Sequence, residues 1–271
     1  MSGPLFSDVE LPVSSLSHCR IGAIVTVQAE GAEYRARIIG IAREKATLRP
    51  FERLSRPSES SLTITLIQSL PKKERMELII QKATELGVAA ILPCTSAKSI
   101  TLSECDARQS KIHRWAAMAA KAAEQSRRRL VPHLGNCVDL AAALKNASEA
   151  ELKLILHEKE VELDLHSLAC QEINADLHSS GDRDGSEEPT QAYVGVRRGE
   201  RRSDNEGIHL KANRHKSMAI AAGPEGGFTE EEVMLARSHG YVPVRLGGRI
   251  LRCETASIAA ISIAQFVWGD L

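Results

Sequence analysis

The sequence predicts an α/β protein, with a parallel sheet covered by helices on both faces and a small antiparallel β unit ahead of it. Three observations predict it. From residue 62 onward, apolar runs of strand length alternate with longer segments whose apolar residues recur at helical spacing, the pattern of a sheet built from strand–helix–strand units. Before that, residues 24–51 hold three short segments of alternating polarity, which suits antiparallel strands. Third, two late strands run into glycine-rich turns, at the edge where open α/β sheets receive ligands.

The antiparallel unit is expected to use Ile24–Ala29, Tyr34–Ile41 and Ala46–Phe51, with Glu30-Gly31-Ala32-Glu33 as a hairpin link. Arg56-Pro57-Ser58-Glu59-Ser60-Ser61 has the composition of a linker. It divides the chain into 1–58 and 59–271.

In the second part, strand Leu62–Ile67 leads to a helix over Lys72–Leu86. There Met76, Ile79, Ile80, Ala83 and Leu86 share a face, and Gly87 supplies the stop. Strand Ala89–Cys94 follows, then a long helix near Ala107–Ser126, a shorter one near 138–146, and the apolar strand Leu152–His157. Strand Met218–Ala222, helix Thr229–His239, strand Val242–Leu246 and helix Glu254–Val267 complete the order. Thr229 and Glu232 have capping-box spacing, and Gly240 stands where a C-terminal cap belongs. Residues 171–216 are rich in Gly, Ser, Asp, Glu and Arg with few large apolar groups, the composition of a mobile insertion. The arginines within it, Arg197, Arg198, Arg201 and Arg202, are read as solvating charge.

Composition narrows the function. Lys+Arg and Asp+Glu number 35 each, which argues against a uniformly basic nucleic-acid binder and leaves local patches open. Between Arg108 and His133 stand Arg108, Lys111, Arg114, Lys121 and the run Arg127-Arg128-Arg129 against the single acid Glu124. That local excess suits phosphate tracking or, equally, a solvated helix face. The six cysteines include no CxxC pair, and in a chain of this length they read as reduced thiols. No apolar run reaches the ~18 residues of a membrane span, and a cytoplasmic protein is expected.

The turns carry the chemistry. Gly223-Pro224-Glu225-Gly226-Gly227 places three glycines in five positions between an apolar strand and a helix. Leu246-Gly247-Gly248-Arg249-Ile250-Leu251-Arg252 does the same after the next strand. Neither GxxxxGK[ST] nor a helix-opening GxGxxG occurs, and no GxSxG or HExxH. His and Cys lack metal spacing, so no metal is expected. Spacing alone leaves two readings open, a nucleotide-like ligand held by backbone edges or two ordinary tight turns. His157, ending an apolar strand, reads on its own as a satisfied edge residue.

GPEGGFTEEE followed by LGGRILRCETA resembles the RsmE family of ribosomal RNA methyltransferases, in the SPOUT (α/β-knot) superfamily. Two further blocks match that family's pattern in the same order: Gln81-Lys82-Ala83-Thr84-Glu85-Leu86-Gly87-Val88 and Lys121-Ala122-Ala123-Glu124-Gln125-Ser126. The likeness covers roughly 62–170 and 217–271. It implies an N-terminal PUA-like β-barrel over 1–58 and a trefoil-knot methyltransferase domain over 59–271. It also implies S-adenosylmethionine as donor, N3 of a uridine in 16S rRNA of the small ribosomal subunit as acceptor, and a homodimer. By the same resemblance, Gly223, Pro224, Glu225, Gly226 and Gly227 would let the backbone approach the cofactor. Leu246, Gly247, Ile250 and Leu251 would wrap its adenine, and Leu156 with His157 would close the third side.

This chain departs from the family pattern in places. Ser17-His18-Cys19-Arg20 replaces a basic, histidine-containing opening, Lys98-Ser99 replaces Arg-Ser, and Cys253 stands where threonine is common. A catalytically degenerate RNA-binding protein and a same-fold enzyme acting on another RNA, such as tRNA, are the alternatives.

Loss of the N3 proton would spread negative charge onto the uracil carbonyls, and a guanidinium aimed there would favour the anion. Arg252 is the first candidate and Arg249 the reserve; a salt bridge from either to Glu254 or Glu225 is the competing role. Glu254, Glu124 and water all remain candidates for the base. Arg114, Lys121, Arg127, Arg128 and Arg129 are the candidate RNA contacts. The helix Thr255–Val267 is apolar on nearly every side and needs cover, which a second subunit or, more simply, the chain's own sheet would supply.

Overall fold

A computed structural model describes residues 7–16, 20–71, 75–101, 103, 114–159, 163–170 and 215–271. Most of the expected insertion (171–214), its four arginines, Arg108, Lys111 and the segment around His18 lie outside the described residues.

Among the described residues, the N-terminal unit is a four-stranded antiparallel half-barrel. Strands β1 (Val9–Pro12), β2 (Ile24–Ala29), β3 (Ala32–Ala42) and β4 (Lys45–Arg53) pair in the order β1-β4-β3-β2. The β2–β3 hairpin turns on two residues, Glu30 (φ 50) and Gly31 (φ 76). Both lie in the left-handed region, as the tight turn that matches strand twist requires. The expected four-residue link was therefore too long, because Ala32 and Glu33 already belong to β3, with Ala29 opposite Ala32. Val25, Val27, Tyr34, Ala36, Ile38, Ala46 and Leu48 fill the concave face.

The second unit, again among the described residues, is a seven-stranded parallel sheet. Its strands are β5 (Thr63–Ser69), β6 (Ala90–Thr95), β7 (His133–Leu134), β8 (Val138–Asp139), β9 (Leu152–Leu156), β10 (Ser217–Ala222) and β11 (Val242–Val244). They are ordered β11-β9-β10-β5-β6-β7, with β8 also on β6. The helices are α1 (Arg75–Glu85), α2 (Trp115–Gln125), α3 (Leu140–Asn146), α4 (Glu230–Ser238) and α5 (Cys253–Trp268).

Alternation along the strands feeds two cores. Met218 and Ile220 of β10 join α1, α2 and α5 on one face, while Ala219 and Ala221 join α3 and α4 on the other. Caps fix the helix starts and stops: the Thr229–Glu232 capping box opens α4. Asp139 accepts from the Ala142 N–H at 2.8 Å. Gly87 (φ 84) ends α1 and Gly240 (φ 81) ends α4. No helix among the described residues is long and apolar enough to cross a membrane.

The two units are joined through the basic run after α2. Arg128 is 6% exposed. Its Nε and Nη2 donate to Glu59 Oε2 at 3.0 and 2.7 Å, and Nη1 donates to the carbonyls of Thr84 and Val88 at 3.0 and 2.9 Å. Glu59 Oε1 accepts the backbone N–H groups of Arg129 and Leu130 at 2.7 and 2.9 Å. From the half-barrel, Glu33 accepts from the Ser58 N–H at 2.7 Å and from Arg129 Nε at 3.1 Å. Arg127, at φ 59, turns its carbonyl toward Thr26 Oγ1 (2.9 Å) and Arg35 Nη1 (2.7 Å).

Candidate active site

Strands β11, β9 and β10 lie side by side, so the loops leaving their carboxyl ends must gather at one edge of the sheet. They enclose a cleft of about 170 Å³. Leu156 and His157 line it after β9; Gly223, Pro224, Glu225 and Gly227 after β10; and the run from Arg245 to Leu251 after β11. The two glycine turns are therefore not separate punctuation. They face each other across a shared cavity.

Gly223 sits where the first loop folds back on itself. A Cβ there would stand 3.1 Å from Gly227 Cα and 3.2 Å from Phe228 N, and the Gly227 N–H closes the turn onto the Pro224 carbonyl at 2.9 Å. A side chain there would force the backbone of the turn to give by a few tenths of an ångström. Gly226 lies on the outside of the same turn, out of the cleft lining. Lys98 packs against it and donates from Nζ to its carbonyl at 2.9 Å, so the lysine standing in the Arg-Ser position braces the loop. Leu246 and Leu251 are half-buried in the opposite wall, with Gly247 and Ile250 exposed at the mouth.

His157 is anchored by its backbone, whose N–H donates to the Val244 carbonyl at 3.0 Å. Its ring is buried, yet Nε2 has no hydrogen-bond partner and lies 3.6 Å from Glu230 Oε1. The expectation of a satisfied edge histidine is overturned.

Sequence reasoning missed Gln68 and Arg75. Gln68 lies next to the end of β5, fully buried; Nε2 donates to the Gly223 carbonyl at 3.4 Å and Oε1 accepts from Ser257 Oγ at 2.6 Å. It links the first glycine loop to α5. The available signal was an amide at the end of an apolar strand. Arg75, in α1, has its Nη1 3.1 Å from Glu254 Oε2 and 3.6 Å from Glu225 Oε1. No local signal marked it, since both partners lie far along the chain.

These contacts revise the candidate roles. The carboxylates of Glu225 and Glu254 face Arg75, so the salt bridge considered for Arg252 or Arg249 is made by a different arginine. Burial alone would raise the Glu254 pKa; hydrogen bonds from its own N–H and the Cys253 thiol, with the Arg75 and Arg252 cations, hold it below the usual carboxylate value. A carboxylate so stabilised is a poor proton acceptor. Arg249 lines the cleft with its side chain exposed, whereas Arg252 caps α5 just outside the lining.

Of the candidate RNA contacts, Arg114, Lys121 and Arg127 are exposed. Arg129 is half-occupied by Glu33. Arg128 is corrected, because its guanidinium is buried in the joint between the two units and cannot meet a phosphate there. Among the described residues, no group of three or more His, Cys, Asp or Glu is placed to hold a metal ion.

Comparison with known proteins agrees with this architecture. A family model described as RNA methyltransferase domain matches residues 58–178 and 186–265. The ribosomal RNA small subunit methyltransferase E of Buchnera aphidicola is 28% identical over 87% of this chain and 76% of that protein. The Bacillus subtilis protein of the same name is 26% identical over 90% and 81%. Among solved structures, the corresponding methyltransferase of Neisseria gonorrhoeae bound to S-adenosyl methionine superposes with a TM-score of 0.63 at 28% identity, covering 98% of this chain and 94% of that one. A putative methyltransferase of Legionella pneumophila in complex with the same cofactor gives 0.61 at 29% identity, again over 98% and 94%. With the match spanning most of the chain, the protein belongs to the RNA methyltransferase family, in the RsmE branch of small-subunit ribosomal RNA methyltransferases.

Proposed function

We propose that this enzyme transfers the methyl group of S-adenosylmethionine to N3 of a uridine in 16S rRNA, working as a cytoplasmic homodimer. The observation that carries the reading is the convergence of three strand-end loops, two of them glycine-rich, on one cleft. The residues present fit the cofactor: the cradle at Gly223 leaves a Cβ only 3.1 Å from the facing backbone, and Leu156, His157, Pro224, Glu225, Gly227, Leu246, Gly247, Ile250 and Leu251 line the same space. Gly226 contributes from outside, through Lys98.

Bound there, the cofactor would supply an electrophilic methyl group on a sulfonium, and the acceptor N3 would have to give up its proton. The chain's part is to hold the two reactants in near-attack geometry and to favour the uracil anion. Arg249 now stands ahead of Arg252 for that second task, because it lines the cleft. Glu254 acts as a fixed partner of Arg75 rather than as the base.

Dimerisation is supported by the outer side of α5. Ser257, Ala260, Ile261 and Ala264 are buried, whereas Phe266 is 66% exposed, and Leu78 on the adjoining α1 is 42% exposed. The helix is therefore not buried all round within one chain, and the remaining apolar surface suits a symmetric partner.

Small subunits from a strain lacking this gene, incubated with the protein and labelled S-adenosylmethionine, should yield 3-methyluridine in 16S rRNA on nucleoside mass spectrometry. Label recovered only in tRNA, or none at all, refutes the assignment. In the same assay Arg249→Ala should slow turnover about 10²-fold with cofactor affinity retained. Normal turnover by that variant returns the role to Arg252.

A further inference from the structure

The cleft has a cation behind it that the reaction outlined above does not use. Arg75 stands in α1. Two carboxylates from separate segments of the chain meet it. Glu254 Oε2 at the start of α5 lies 3.1 Å from Nη1, and Glu225 Oε1 in the Gly223–Gly227 turn lies 3.6 Å from the same atom. The Cys253 sulfur, itself on the cleft wall, stands 3.9 Å away. All three charged side chains are largely shielded, with 22%, 13% and 25% exposure for Arg75, Glu254 and Glu225.

We propose that Arg75 is a positioning residue for cofactor binding, which ties the two glycine loops together through Glu225 and Glu254 and cancels carboxylate charge at the cleft. The inference rests on the cleft being the S-adenosylmethionine site. Both carboxylates converge on one nitrogen of a long, planar side chain, and the shorter-headed ammonium of lysine, a compact point charge on a flexible stem, does not hold its charge at that same place. With Arg75 in place, the remaining ionised groups of the lining, Glu158, Arg245 and Arg249, are not outweighed by acids.

The charge matters because donor and product differ in it. S-adenosylmethionine carries a sulfonium, and the thioether left after transfer, S-adenosylhomocysteine, does not. Unbalanced acids at the cleft would hold the donor more tightly than the product. Arg75 removes that bias while it fixes the spacing of the walls.

The test is calorimetric titration of both ligands into the full-length protein and the variants Arg75→Gln, Arg75→Lys and the double variant Arg75→Gln/Glu225→Gln. Arg75→Gln should weaken both ligands, and the thioether roughly fivefold more than the sulfonium, the size of one extra charge at close range in a partly exposed site. The double variant should bring the ratio of the two affinities back to the native value while both stay weak. Arg75→Lys keeps the charge, so the native ratio should persist with both ligands weakened. Equal weakening by Arg75→Gln, or a ratio that Glu225→Gln leaves displaced, overturns the proposal. If Arg75→Gln does not fold, native affinity for both ligands in Arg75→Lys overturns it. Failure of the unmodified protein to bind S-adenosylmethionine refutes the cofactor reading instead.

Discussion

Glu59 and Arg128 form a buried ion pair, 2.7 Å from carboxylate oxygen to Nη2, with side chains 14% and 5% exposed. The pair lies where the half-barrel, the linker and the end of α2 meet. Arg128→Gln leaves the Glu59 carboxylate without its cation and deprives the carbonyls of Thr84 and Val88 of a donor. Breaking one partner of such a pair costs about 3–5 kcal/mol. The expected result is a lower urea midpoint; an unchanged midpoint would mean that the joint contributes nothing to stability.

RNA affinity should depend on the exposed cations along and just beyond α2. Neutralising Arg114, Lys121 and Arg127 together should flatten the salt dependence of binding. Every phosphate that a cation no longer neutralises reduces the logarithmic slope by about 0.7 on single-stranded RNA, so three of them amount to roughly 2. Filter binding across a salt series measures it, and a slope equal to that of the unmodified protein removes these residues from the interface.

Two glycines in one turn should respond differently to alanine. At Gly223 the new Cβ meets backbone, 3.1 Å from Gly227 Cα, and at Gly226 it meets the Lys98 side chain, 3.0 Å from Cδ and 3.3 Å from Cβ. The outer part of a lysine can shift at the cost of its brace on the loop, whereas at Gly223 the backbone of the turn itself must give. Gly223→Ala should lower cofactor affinity at least tenfold, a change of about 1.4 kcal/mol, and Gly226→Ala by clearly less. Equal affinities in the two variants would contradict this account of the turn.

Burial pushes the Cys94 thiol up to about 12 and the Cys253 thiol up to about 11. In the unfolded chain both ionise near the ordinary thiol value. Between that value and the native one the unfolded state releases protons that the folded state retains. Stability from these groups is therefore complete below the ordinary thiol pKa and falls as pH rises through the native values. The slope is up to about 1.4 kcal/mol per pH unit for each thiol. Denaturant titrations from neutral pH to pH above that range should show the decline, and replacing Cys94 with alanine should reduce its slope.

Much of this was legible in the sequence. The α/β order followed from apolar periodicity, and β2 matched its expected bounds of Ile24–Ala29. The Thr229–Glu232 cap was readable because capping chemistry is local. Strands β7 and β8 were not, since two residues each carry no period. The strand β1 escaped because its polarity pattern spans only four residues. The glycine loops were visible as loops; their convergence depended on β9, β10 and β11 being neighbours, which no local signal encodes. The same limit hid Arg128. A run of three arginines looks like a solvated face, and only Glu59, 69 residues away, turns one of them inward. Arg75 and Gln68 were missed for the same reason, their partners lying 179 and 189 residues distant.

Strand β5 sits in the middle of the large sheet, yet its neighbour on one side is β10, with Thr63 opposite Ser217. Ser60, just before it, donates to Gln265 Oε1 at 2.7 Å. The inner edge of this central strand therefore stays open in a growing polypeptide until residues more than 150 positions later have emerged. Pairings between such distant segments form slowly.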